Sequence, residues 1–315
     1  MIKLKMELSN EYDDKTTFSI TFHEGYSFRH LIEFFKKIGC TQIDLFVSEK
    51  GIYIAETNEN MNPYLIVEIY ANQLVEYKYN SLSGKTTMIT IGIDDLYVEV
   101  QNVPKKKALK IYKSPNDPLH LRIQKLDSYR TTDVGGTIIS LAIRTKAKQF
   151  YTEPRYNIKS PVCVVPISNF SDTCKEFSTY DNVILKSSKE GVIMLGMSNG
   201  LSKPKCAEFG NFNMNEEEEP IPSIDLTSIN LNNLNLNAEI KEIVIQKPNM
   251  APANGAGIKL RSEFIKSLMK LNNISPGGVL QFYIEKESIN GIMSYKPLFL
   301  SCNVGAYGRM KIYVS

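Results

Sequence analysis

The sequence predicts an α+β fold made of two tandem copies of one β-rich unit. Three observations carry this reading. Short runs of alternating apolar and polar residues dominate the chain. Helical period is confined to a few short segments, and one order of helix, strand, glycine turn and strand occurs twice.

Side chains on a strand point alternately to its two faces, so period-two alternation marks a half-buried strand. It is present at 18–22 (FSITF), 42–47 (QIDLFV), 65–70 (LIVEIY), 119–124 (LHLRIQ), 138–144 (IISLAIR), 281–286 (QFYIEK) and 309–314 (RMKIYV). Turn residues separate these runs, as in Glu49-Lys50-Gly51, Ser114-Pro115-Asn116-Asp117 and Ser275-Pro276-Gly277-Gly278. Segment 27–38 has helical period, with Phe28, Leu31, Ile32 and Phe35 on one face and Arg29, Glu33, Lys36 and Lys37 on another. Segment 169–178 turns Phe170, Cys174 and Phe177 inward, with Asn169 or Ser168 as the candidate cap. Segment 262–272 turns Phe264, Ile265, Leu268 and Met269 inward and Lys266 and Lys270 outward. Segment 94–102 (DDLYVEVQN) is a weaker helix candidate, because its β-branched residues lose side-chain freedom in a helix.

The repeat pairs helix 28–35 and QIDLFVSEKGIYIA with helix 170–177 and NVILKSSKEGVIML. Its turns are Ser48-Glu49-Lys50-Gly51 and Ser188-Lys189-Glu190-Gly191. The expected division is an N-terminal extension at 1–17, a first domain at 18–146, a connector at 147–160 and a second domain at 161–315. The connector is polar-aromatic with Pro154 inside it and Pro161 directly after it, and the second domain carries an acidic and Asn-rich insertion at 211–237.

Composition excludes more than it assigns. The apolar fraction of 43% supports real cores, and a net charge of +3 does not by itself mark a nucleic-acid binder. Cys40, Cys163, Cys174, Cys206 and Cys302 are scattered without CxxC spacing, as are His23, His30 and His120, so neither a disulfide framework nor a metal site is expected. The start has no apolar signal core and no run approaches a membrane span, which points to an intracellular protein with free thiols. Ser83-Gly84-Lys85-Thr86 echoes the end of a phosphate loop, but Tyr79 stands where its first glycine belongs. Gly255-Ala256-Gly257 lacks the strand and helix of a dinucleotide fingerprint, and Glu216 to Glu219 read as a solvated loop. No catalytic constellation is found, so neither an enzyme nor a cofactor is expected.

The order and spacing of these units resemble the DNA sliding clamps of the proliferating cell nuclear antigen (PCNA) family. FSITFHEGYSFRHLIEFFKKI followed by EKGIYIAE resembles that family's opening strand and helix. KPLFLSCNVGAYGRMKIYV (296–314) is similar to its terminal Pro-Leu strand, glycine turn and aromatic strand. The resemblance spans residues 18 to 315. It implies two tandem clamp-fold (processivity-fold) domains, antiparallel sheets with helices on the inner face. It implies three subunits closing head to tail, with strand 137–146 of one against 203–210 of the next. It also implies a non-enzymatic ring on duplex DNA at a nuclear or cytoplasmic replication site. That ring would be opened by a clamp loader and would dock a DNA polymerase and other replication and repair proteins. The Asn-, Ile- and Lys-rich usage is compatible with an AT-rich genome such as that of a large DNA virus.

Carried onto this chain, the resemblance makes Arg29, His30, Lys36, Lys37, Lys105, Lys106, Lys107, Lys175, Lys266 and Lys270 candidates to face DNA. Basic side chains that exchange phosphate partners hold duplex without reading sequence. The bland alternative is a set of solvated polar faces, and 94–102 carries acids where the family has lysines. Partner peptides would dock on Thr57 and Met61, on Phe150, Tyr151 and Pro154 of the connector, and on Pro297, Tyr313 and Val314. Apolar anchors would dominate such a groove, although Pro297 and Tyr313 are equally compatible with plain strand packing. The runner-up function is a clamp-fold accessory or transcription cofactor that does not close a ring, since the 211–237 insertion lies near the predicted contact strand.

Overall fold

Alternating sequence becomes antiparallel sheet throughout the chain, described here from a computed structural model. The described residues are 17–57, 63–81, 86–126, 138–144, 153, 157, 160–187, 191–197, 204–210, 257–283, 285–289, 292–295 and 298–314. The extension at 1–16, the insertion at 211–237, the phosphate-loop echo at 83–85, Gly255-Ala256, the 188–190 turn and most of the connector lie outside them.

The first half runs β1 (Thr17–Phe22), α1 (Gly25–Lys37), β2 (Gln42–Ser48), β3 (Gly51–Thr57), β4 (Pro63–Tyr70), β5 (Glu76–Asn80), β6 (Thr87–Gly92), α2 (Ile93–Val100), β7 (Ala108–Ser114), β8 (Asp117–Leu126) and β9 (Ile138–Ala142). The second runs β10 (Cys163–Pro166), α3 (Ile167–Phe177), β11 (Asn182–Ser187), β12 (Gly191–Met197), β13 (Lys205–Gly210), β14 (Ile258–Arg261), α4 (Ser262–Leu268), α5 (Leu271–Ile274), β15 (Val279–Tyr283), β16 (Lys286–Ile289), β17 (Ile292–Tyr295), β18 (Leu298–Val304) and β19 (Gly308–Val314).

One doubtful segment is settled and two details differ from expectation, each for a physical reason. The weak candidate at 94–102 is a helix from Ile93, because Ile93, Leu96 and Val100 are all buried on one face and packing outweighs propensity. The 262–272 segment is two helices, α4 and α5, with Met269 closing the first and Lys270 opening the second. Helix α3 begins at Ile167, straight after Pro166, so neither Asn169 nor Ser168 caps it. Instead the Ile167 N–H donates to the Gly278 carbonyl at 3.0 Å. At the strand ends, 281–286 divides between β15 and β16, and Arg144 lies past β9 as an isolated bridge to Thr90.

The large sheets have strand orders β5-β1-β7-β8-β9, β10-β15-β18-β19-β4-β3-β2-β6 and β13-β12-β11-β14, and β16 and β17 form a separate hairpin. The eight-stranded sheet crosses between the halves, where β19 lies antiparallel to β4 with Ile312 opposite Leu65. The repeat is visible at single residues. A Cβ at Gly51 would stand 1.9 Å from the Ile69 carbonyl oxygen, and one at Gly191 the same distance from that of Phe209. Only glycine admits so close a strand crossing. The core is continuous through both halves, with Phe22 4.8 Å from both Phe28 and Tyr307, and Phe170 5.5 Å from Phe282.

The helices share one side of this core. Helix α1 packs on α2 and α5, and α3 packs on α4 and α5, which makes one helical layer across both halves. The sheet face turned away from that layer forms the opposite surface.

Candidate functional site

Of the basic candidates, Lys175 lies on α3 and Lys266 on α4, while Lys105 and Lys106 follow α2. Lys175, Lys266, Lys105 and Lys106 are exposed and make no ion pair among the described residues. Lys107 is half-buried beside them. Other cations are already engaged. Lys36 Nζ lies 2.7 Å from Asp94 and 4.5 Å from the Tyr97 ring centroid. Lys37 is 3.2 Å and Lys270 3.8 Å from Glu33, so that carboxylate ties α1 to the α4–α5 junction of the second half. Partial burial pushes the Glu33 carboxyl up, but these lysines outweigh it and hold it below the ordinary carboxylate value. Arg29 donates to the Val103 carbonyl at 3.2 Å and lies 5.3 Å from the Tyr26 ring centroid.

His30 does not belong to the exposed set. It is 4% exposed, packed edge-on against Tyr26, with Nδ1 2.9 Å from Glu33 Oε2. The 27–38 periodicity left it on the flank of the helix, and the packing of α1 on α5 covers it. Acids share the same surface: Asp94, Asp95 and Glu99 on α2, Asp172 and Glu176 on α3, Glu263 on α4. Arg144, which the sequence did not single out, pairs with Asp95 at 2.9 Å. The helical face is therefore a patchwork of neutralised pairs with free lysines between them. Such a surface supplies diffuse attraction for an anion rather than a fixed anion pocket. Among the described residues no three His, Cys, Asp or Glu side chains gather as a metal site, and no helix is long and apolar enough to cross a membrane.

Solved structures share this fold over nearly the whole chain. A chain of the PCNA2–PCNA3 complex from Sulfolobus tokodaii aligns with a TM-score of 0.62 at 12% identity, covering 94% of this chain and 98% of that one. Proliferating cellular nuclear antigen from Entamoeba histolytica aligns at 0.61 and 13% identity, covering 95% and 98%. The chain has a PCNA-like clamp fold. No family model matches it, and no curated protein matches it in sequence. At this identity the likeness shows a fold, carried by burial pattern and strand order.

The clamp fold's sheet face bears the second candidate site. Aromatic rings step across neighbouring strands: Tyr283 lies 4.6 Å from Phe299, Phe299 4.8 Å from Tyr313, and Tyr313 5.8 Å from Tyr64. Burial pushes the Tyr64 hydroxyl pKa up. Glu153, one of the described connector residues, contacts this strip. Tyr313 Oη donates to Glu153 at 2.6 Å, and Lys311 Nζ stands 3.0 Å from the same carboxylate and 3.2 Å from Glu68. Further along, the Asn157 N–H donates to Glu285 at 2.7 Å.

Of the partner-binding candidates, Tyr313 is in this strip but only 3% exposed, with Glu153 on its hydroxyl, and Thr57 is at the neighbouring end of β3, opposite Tyr64 in register. Val314 is not at the strip: strand alternation turns it into the core, where it is 2% exposed. Met61, Phe150, Tyr151, Pro154 and Pro297 lie outside the described residues. The anchors Glu153, Lys311 and Glu285 escaped sequence reading, because a charge in a polar stretch carries no local sign of the strand it will meet.

Proposed function

We propose that the chain is a subunit of a DNA sliding clamp, a non-enzymatic ring that encircles duplex DNA and docks a polymerase and other replication and repair proteins. The observation that carries this reading is the single helical layer spanning both halves of a clamp fold, with free lysines along its exposed side. A closed ring stays on DNA by topology, so its inner wall needs only exchangeable phosphate contacts and no sequence readout. The aromatic strip that Glu153 contacts supports a docking groove for an apolar peptide, with Thr57 and Tyr313 beside it and Met61, Phe150, Tyr151, Pro154 and Pro297 as further candidates. The assembly would be a homotrimer, opened by an ATP-driven clamp loader and working inside the cell wherever the DNA is replicated.

Light scattering should give three chains per particle. Once loaded, protein should remain on circular DNA through moderate salt and be lost when the circle is linearised. Equal loss from both forms would refute encirclement, and a stable monomer would favour the clamp-fold accessory that closes no ring.

A further inference from the structure

The five-stranded sheet β5-β1-β7-β8-β9 turns one face to the core and the other away from it. On β1, Phe18, Ile20 and Phe22 are buried in the core, and Phe22 stacks on Phe28 of α1. Alternation therefore puts Ser19 and Thr21 on the face turned away from the helices. Strand register extends that face sideways, because directly opposed residues share a face. Ser19 lies opposite Lys78 of β5 and Tyr112 of β7, and Tyr112 lies opposite Arg122 of β8. Thr21 lies opposite Glu76 and Lys110, and Lys110 lies opposite Gln124. Two polar rows thus run side by side, on a different sheet from the one that carries the aromatic strip.

A cavity of about 480 Å³ opens on these rows, lined among others by Ser19, Glu76, Lys78, Asn80, Lys110 and Tyr112. That volume lies within the span of about 300–1,000 Å³ typical of small-ligand sites. Its charges favour an anion. Glu76 stands 2.7 Å from Lys78 and 3.2 Å from Lys110, so one carboxylate holds two ammonium groups side by side. The Thr21 hydroxyl donates to the same carboxylate at 3.1 Å. Hydrogen bonds from Lys78, then Lys110 and Thr21, keep the Glu76 carboxyl below its ordinary value against partial burial. Each ammonium has three N–H donors, so both lysines keep donors for a ligand after serving Glu76. Between Lys78 and Tyr112, Ser19 Oγ is buried and has no hydrogen-bond partner among the described residues. A buried hydroxyl in that state calls for a partner.

We propose that this cavity binds a phosphate monoester of nucleotide size, with Lys78, Lys110 and Ser19 on the phosphate and the rest of the ligand along Tyr112. A phosphate dianion matches two ammonium groups that share a single carboxylate, and its oxygens accept from the Ser19 hydroxyl as well. A phosphate ion alone would leave most of the cavity unused. The Tyr112 ring offers a face for stacking, and the Asn80 and Gln124 amides at the cavity wall offer donors and acceptors to a base or sugar. The site uses neither the helical layer nor the aromatic strip, so it goes beyond the clamp reading and does not depend on it.

Titration calorimetry of the full-length protein with AMP at low salt should show one saturable site. Adenosine should not bind, and inorganic phosphate should bind more weakly than AMP. Lys78→Ala, at a side chain 77% exposed and hence mild for folding, should weaken AMP binding about tenfold. Glu76→Gln should instead tighten it several-fold by removing the competing carboxylate, a gain that disruption of the fold would not give. Lys266→Ala, on the helical layer, should leave it unchanged. Absence of AMP binding, or equal binding by Lys78→Ala and the parent chain, would overturn the site. Loss in Lys266→Ala would overturn it too, by moving the phosphate to the helices. Adenosine or inorganic phosphate binding as tightly as AMP would overturn the ligand class. Each of these failures would leave the sliding-clamp reading standing.

Discussion

At the scale of the residue, His30 shows how burial decides which charges reach a surface. Burial holds its imidazole below the ordinary value of 6.5, against the pull of Glu33 and with Arg29 and Lys270 adding to the depression. The unfolded chain therefore binds more protons than the folded one below that value, so this contribution to stability is present above pH 6.5 and is lost as pH falls. Glu33, also depressed, adds its share only once pH drops below its ordinary 4.5. The melting temperature should fall as pH is lowered through the histidine window. His30→Asn should flatten that part of the profile, as read by calorimetry; an unchanged profile would show that His30 is not responsible. The free lysines and the paired ones also behave as different classes. Lys266→Ala should lower the slope of log binding against log salt by about 0.9 for each phosphate contact removed. Asp94→Asn should instead strengthen binding to duplex by releasing Lys36, now 2.7 Å from that carboxylate. Charge type was legible in the sequence at these positions; whether each charge was free was not, since Asp94 and Lys36 lie on different helices.

At the scale of the element, strands were read best where one face is buried and the other is not. Segments 42–47 and 309–314 match β2 and β19 to within a residue at each end, because alternation there follows a real division between core and surface. Helix α2 was doubtful because Val98 and Val100 argue against helix locally, while the gain from burying Ile93, Leu96 and Val100 arises only in the folded core. Nothing local marked Glu153 as a contact for β19, which lies far away in sequence. Tyr313→Phe should cost about 1.5–3 kcal/mol as one hydrogen bond to a carboxylate is lost. Glu153→Ala should speed tryptic cleavage at Arg155 and Lys159 without changing the secondary structure seen by circular dichroism. An unaltered cleavage rate would show that the carboxylate does not hold the connector down.

At the scale of the whole molecule, the internal repeat was the most informative signal in the chain. Gly51 and Gly191 announce it in sequence, and the same two residues mark the tight strand crossings in space. The repeat made the two-part architecture readable at an identity of 12–13% to the solved clamps. The aromatic strip was less readable, because Tyr64 comes from the first half of the chain and Tyr283, Phe299 and Tyr313 from the far end of the second.

Within the chain Ile312 meets Leu65, hydrocarbon against hydrocarbon. Because that seam is dry and runs through the middle of one sheet, the two halves should melt in a single calorimetric transition rather than one after the other.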